Sequence, residues 1–512
     1  MRWKPSALKA REEAVAGSLR ASSKFYRFLW EIREELFDRA FEDVLIASYA
    51  PRGQDPCPPA LLAMVVLLQR YDGLSDADAV DAAENDRRWQ LVLGTLGSES
   101  APFGQGTLVR FRTRMIAHDL DKKLVDRTVE IAKKTKKFGW QKLRVALDSS
   151  PLEGAGRVDD TWNLIGRAMS KVVHLVSVTL GVDEADVIRE AKLSVLSADS
   201  VKAALDIDWD DEEAQRAGLN HLLVQVGQLE AWIQKRASKE ADKDPLKDAL
   251  SVLRRVADQD TEPDPSGGGM RIKDGVAHDR VISIGDVEMR HGRKSKSKRF
   301  DGYKRHITIA NRLILSTAVE PANVREHEPA ERLLFAASSH GEIETIDIDR
   351  GYLSSPAIER LYDQGVVINS RAWQTCNDGL FTKEDFIIDL RRGEVRCPAG
   401  KSAPVTRGGQ AFFSVSDCCA CSKKSLCTKA EKRSLTLHHA EELLIKLRAR
   451  RRTRAGRREI RKRVAVEHTL ARISSIQGRR ARYRGARKNE LDLNRAAAIA
   501  NLYVIAGMRA SA

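Results

Sequence analysis

No apolar run in this chain is long enough to span a bilayer. The most apolar early stretch, residues 60–68, falls well short. Met1-Arg2-Trp3-Lys4-Pro5 leads into highly charged sequence without an apolar signal-peptide core, so a cytoplasmic protein with no membrane association is the expectation. Cysteine is scarce outside one stretch: five of the seven lie between Cys397 and Cys427. In a reducing compartment such a cluster points to a metal site rather than to disulfides. Acidic residues are in deficit, 72 against 87 basic ones, which leaves a formal net charge of +15. An excess of that size favours a polyanionic partner through phosphate contacts and counterion release. No internal repeat is visible. What remains is an ordinary globular composition, 42% apolar over 512 residues, which excludes wholesale disorder and allows two or three domains.

Residues 1–140 read as helical. Pro58-Pro59 precede an apolar helix over 60–68, Ser75 suits the N-cap of the next, and Thr107 the N-cap of a helix carrying Arg110, Arg112 and Arg114. A basic helix after several others fits a helix-turn-helix-like DNA-binding layer or, equally, a plain bundle with a solvated basic edge. Residues 142–147 are β-branched and apolar, a buried strand ending in Asp148. A helical insertion over 160–258 and a Pro/Gly-rich linker over 260–269 follow. Residues 306–310 and 313–319 form a hairpin around Asn311-Arg312, then come a helix over 326–336 and strands over 343–348 and 366–369. Without the insertion this order fits one α/β layer with a mixed sheet. The expected divisions are 1–140, 141–159 with 270–374, 160–269, 375–436 and 437–512.

Three acidic neighbourhoods carry the chemistry. Asp148 ends one apolar strand, Asp349 follows another, and Glu467 lies on a helix in an arginine-rich run. Strand-end carboxylates face the sheet edge where ligands bind. Asp349 ranks above Asp347 because it meets the turn Arg350-Gly351-Tyr352. Three converging carboxylates repel unless divalent cations neutralise them, and hard oxygen ligands suit Mg²⁺ or Mn²⁺. Two such ions serve both the attacking and the leaving oxygen at phosphorus. Cys418 and Cys421 form a Cys-x-x-Cys pair that Cys397 and Cys427 complete as a tetrahedral set for structural Zn²⁺. The run from Arg290 to Arg299, including Arg293 and Lys294, is too polar to pack and reads as a phosphate-binding loop, and residues 448–463 form a helix basic on nearly every side.

These motifs resemble a DDE transposase of a bacterial insertion sequence. Asp349-Arg350-Gly351-Tyr352 resembles the family's Asp-x-Gly-Tyr element, and Asp301-Gly302-Tyr303-Lys304 its Gly-Tyr-Lys strand. Arg463-x-x-x-Glu467 matches the Arg-Glu part of the Tyr-Arg-Glu-Lys signature, while Ile460 and Ser474 stand where Tyr and Lys are expected. The resemblance implies an RNase H-like catalytic core, Asp148, Asp349 and Glu467 as catalytic metal ligands, and the cysteine-rich insertion as a zinc subdomain. It implies double-stranded DNA as partner, both terminal inverted repeats and target, bound by a homodimer in a synaptic complex near the nucleoid. Arg110, Arg112, Arg293, Lys294, Lys304, Arg463 and Arg472 are the expected DNA contacts. The reaction implied is cleavage at the element ends followed by attack of the freed 3′-hydroxyl on target DNA. A metal-dependent nuclease that does not join, and a non-catalytic DNA-binding relative, are the alternatives.

Overall fold

The computed structural model describes residues 2–5, 9–50, 56–135, 142–295 and 297–510. Its centre is a mixed sheet built from β1 (Lys142–Glu153), β2 (Arg299–Ala310), β3 (Leu313–Pro321), β4 (Glu342–Ile348) and β5 (Val367–Asn369). The order across the sheet is β3-β2-β1-β4-β5. β2 runs antiparallel to both its neighbours, β1 and β3, and β4 and β5 run parallel to β1. A short edge strand, Arg290–Arg293, continues the β3 side of β2. The hairpin turns at Asn311 and Arg312, both with positive φ, as a tight two-residue connection requires.

Several expected boundaries move. β1 does not end at Asp148 but continues to Glu153, because Asp148–Glu153 keep pairing with Ile307–Gly302 of β2. The helix expected over 326–336 begins only at Ala330 and ends at Ser338. Gly104, not Thr107, caps the helix Gln105–Ala117. Ser75 does cap its helix, in a reciprocal capping box with Asp78. Part of the expected linker is ordered: Thr261–Pro263 pairs with Met270–Ile272. The 160–258 region forms a run of helices, the longest Thr161–Leu180 and Glu212–Arg236, around a separate apolar core.

One continuous core runs from Phe25 to Ile505 and joins the N-terminal helices to the sheet. The connector is the terminal helix Ala486–Ala510, buried along most of its length. Its Asn501 accepts from Ile314 N at 2.7 Å and donates to Ile314 O and Thr128 Oγ1, both at 2.9 Å. A buried amide so satisfied fixes the register between β3 and the helix Leu120–Lys133. Where β1 and β2 approach most closely, Gly302 has φ of 143°, and a Cβ there would overlap Gly154 N and Leu152 O. Gly302→Ala is therefore expected to lower stability by about 1–3 kcal/mol, from backbone strain plus the clash. An unchanged denaturant midpoint would refute this account of the glycine.

Candidate active site

The register of β1 against β4 brings two carboxylates together. Ala146 lies opposite Asp347 and Leu147 opposite Ile348, where β4 ends. The next residue on each chain is an aspartate, Asp148 on β1 and Asp349 after β4. Both therefore sit at the carboxyl end of the parallel pair, where an open α/β sheet binds ligands. Asp349 caps the short turn Arg350–Ser354, accepting from Arg350 N at 2.8 Å. Asp148 accepts from Ser149 N at 2.8 Å. Asp347 has a different fate. It is buried and takes two bonds from Arg144, at 2.6 and 2.7 Å, and one from Asn369 at 3.0 Å. A buried carboxylate held by a bidentate arginine is a structural ion pair, which agrees with ranking Asp349 first.

Glu467 arrives from the first turn of the helix Val464–Gln477, whose Val466, Leu470 and Ile473 are buried. Asp148, Asp349 and Glu467 line one cleft of about 440 Å³, together with Arg293, Lys294, Lys304, Glu326 and Ser474. Arg463 bridges two of the three acids, with Nη1 at 3.2 Å from Asp148 Oδ2 and Nη2 at 3.0 Å from Glu467 Oε1. Burial pushes the Asp148 carboxyl up to about 6; Arg463 and the Ser149 N–H oppose that shift, and Asp349 and Glu326 add to it. A carboxyl whose proton affinity is raised by burial and by neighbouring carboxylates is short of positive charge. The donor chemistry fits a hard divalent cation. Among the described residues, however, no group of three or more His, Cys, Asp or Glu side chains is already placed to hold a metal ion, and a guanidinium lies between Asp148 and Glu467.

Two family matches fall on this architecture. Residues 396–506, which include Glu467, match the Transposase DDE domain. Residues 19–114 match the Transposase domain (DUF772). Both matches support an insertion-sequence DDE transposase. No curated protein and no solved structure matches it. Among the described residues no single helix of this transposase is long and apolar enough to cross a membrane.

The basic residues expected to meet DNA divide by what they already hold. Arg293 and Lys294 are exposed at the cleft rim; Lys296 of the same run lies outside the described residues. Lys304 lines the cleft with Nζ donating to Val324 O at 2.8 Å, and burial pulls its pKa down. Arg110 is exposed on Gln105–Ala117. Arg112 on the same helix needs correction as a free contact: both its terminal nitrogens are on Asp76, at 2.7 and 2.5 Å, because that carboxylate faces it from the next helix. Arg114 likewise donates to Ser48 O and lies over the Tyr49 ring. Arg472 is exposed but outside the cleft lining, 5.8 Å above the Tyr503 ring. The expected continuous basic helix is broken at Thr453, which caps Arg454–Arg461.

At Ser474, where the transposase signature has Lys, the side chain is engaged by a buried arginine. Ser474 Oγ accepts from the buried Arg305 at 2.7 Å, and Arg305 also reaches Ser150 Oγ, Gln477 Oε1 and Gly478 O. Arg305 thus ties the helix of Glu467 to β1 from the neighbouring strand β2. Sequence reading missed Arg305 and Glu326. Arg305 sits in a strand that alternation marks as core, and Glu326 follows no motif spacing; only the fold brings either to the site.

Cys397, Cys418 and Cys427 pack against a small core of their own that includes Phe386, Val395 and Phe413. Burial raises the Cys427 thiol's pKa, and Cys418, Cys397 and Cys421 are near enough to raise it further. The thiols are therefore neighbours, but they are not placed as a ligand set. The expected zinc site gains no support from this arrangement among the described residues.

Proposed function

We propose that this transposase cuts phosphodiesters at the ends of its element and transfers the resulting 3′-hydroxyl to target DNA, with Asp148, Asp349 and Glu467 as the catalytic carboxylates of an RNase H-like core. The single observation that carries the reading is the shared cleft, reached from three distant chain segments, two of them joined by the sheet and the third a helix packed beside it. The order β3-β2-β1-β4-β5, with the first three strands antiparallel and the last two parallel, supports the RNase H-like assignment. Divalent cations bound by these carboxylates would activate the attacking oxygen and stabilise the leaving one.

The chain's own residues supply the rest. Arg293 and Lys294 at the rim neutralise the approaching backbone, as phosphate contacts do in any sequence. Lys304, held by Val324 O, presents a fixed positive charge from the floor. Arg463 is the exchangeable element of the set. Its side chain is one-fifth exposed, so it is free to exchange Asp148 and Glu467 for a substrate phosphate once those acids are otherwise neutralised. Two copies would hold two ends in a synaptic dimer.

The test is incubation of the purified protein with duplexes carrying the element's ends, a target plasmid and Mg²⁺. Cleavage with covalent joining of the 3′ end to the plasmid is the expected result. Hydrolysis without joining would leave a nuclease, and binding without either would leave a DNA-binding relative.

A further inference from the structure

A fourth carboxylate enters the cleft from a segment that no family match covers. Glu326 lies in the connection between β3 and the helix Ala330–Ser338, and it lines the cleft beside Asp148 and Asp349. Its Oε1 accepts from Ser149 Oγ at 3.0 Å, one residue beyond Asp148. Its Oε2 occupies the space a Cβ on Gly351 would need, two residues beyond Asp349. One carboxylate therefore touches both segments that carry the two strand-end aspartates. None of the ion pairs among the described residues involves Glu326, although Lys304 is close enough to feel its charge. Lys304 Nζ donates its hydrogen bond to Val324 O instead.

Electrostatics gives this position a purpose. Two divalent cations carry four positive charges, and Asp148, Asp349 and Glu467 supply three negative ones. Lys304 and Arg463 add positive charge at the same cleft; where water is partly excluded an uncompensated charge is expensive, and a fourth carboxylate reduces the excess. The steric side agrees. Gly351 has no positive φ, so its backbone does not require glycine. The three atoms nearest to a Cβ there all belong to Glu326.

We propose that Glu326 is a fourth cation-binding carboxylate of the cleft, that Ser149 orients it, and that residue 351 is glycine to admit it. The proposal rests on the carboxylate cleft being a divalent-cation site, and the experiment separates the two claims. Mn²⁺ binding to the purified chain is followed by electron paramagnetic resonance, without DNA, for the wild type, E326Q, E326D, G351A and D148N, each checked for an unchanged circular-dichroism melt. Wild type is expected to bind two ions. E326Q and G351A are expected to weaken one of them roughly tenfold or more, the scale on which loss of a supporting partner weakens metal sites. E326D is expected to recover part of that loss.

G351A is the decisive variant. It keeps every carboxylate and only displaces Glu326, so weakening there cannot come from lost charge alone. If D148N loses binding while E326Q and G351A match wild type, the cleft holds metal without Glu326 and this inference fails alone. If D148N also binds like wild type, the metal reading of the cleft fails with it. If E326Q or G351A melts early, S149A, which removes only the 3.0 Å hydrogen bond, takes its place; wild-type Mn²⁺ binding by S149A and E326D together would overturn the proposal.

Discussion

Asp148→Asn is expected to lower Mg²⁺-dependent end cleavage by at least about 10³-fold, the scale of removing a member of a catalytic unit, while end-DNA binding in a mobility-shift assay stays within a few-fold of wild type. The same substitution should stabilise the metal-free protein at alkaline pH. Asp148 is pushed up to about 6 by burial, against about 3.9 in an unfolded chain. A carboxyl with a raised folded pKa binds its proton more tightly when folded. Its contribution to stability is full below the unfolded value and is lost as pH rises through about 6. Asparagine carries no charge and escapes that loss. The difference between D148N and wild type should therefore be small at pH 4 and grow between pH 4 and 6 to a plateau of roughly 1–3 kcal/mol, read from chelator-treated denaturant melts. Adding Mg²⁺ at pH 8 should stabilise wild type and not D148N. A variant that cleaves normally removes Asp148 from catalysis. A variant equally stable at pH 4 and 8 relative to wild type removes the account of its charge.

Much of this cleft was legible in local sequence, and the parts that were not share a cause. Apolar β-branched runs mark strands, and an acid at the end of one is visible without a structure. Asp148 and Asp349 follow from that, and Glu467 from the arginine four residues before it. The length of β1 was not visible, because Ser149 to Glu153 have no strand-like alternation; they are extended because β2 pairs with them. Arg112 looked free because its partner Asp76 is 36 residues away. Glu326 and Arg305 were invisible as site residues for the same reason: each takes its meaning from residues more than 150 positions distant. The core that the N-terminal helices share with the rest of the chain was not visible either. Their amphipathic pattern gives no sign that the other half of their core is the terminal helix.

That shared core makes the second large effect a stability one. Asp492→Ala is expected to destabilise the protein by ~3–5 kcal/mol, the measured scale for stranding a buried charge. Asp492 is fully buried on the terminal helix. Its Oδ1 accepts from Arg495 Nη2 at 2.6 Å, and its two oxygens lie 3.3 and 3.4 Å from Arg70 Nη1. One carboxylate thus neutralises two buried guanidiniums. Neither has slack, since Arg70 Nε and Arg495 Nε and Nη1 already lack partners. Arg70 lies on the N-terminal helix Pro59–Asp72 and also donates to Ile476 O at 2.6 Å, on the helix that presents Glu467. Removing Asp492 should free Arg70 to leave, and with it one anchor of the glutamate's helix. D492A is therefore expected to lose cleavage before it loses structure as temperature rises, with D492N, which keeps the shape but not the charge, falling between it and wild type. Unfolding midpoints within about 1 kcal/mol of wild type for both variants would mean that the two arginines find other partners. Activity and fold lost at one temperature would mean that the N-terminal helices support the core without positioning Glu467.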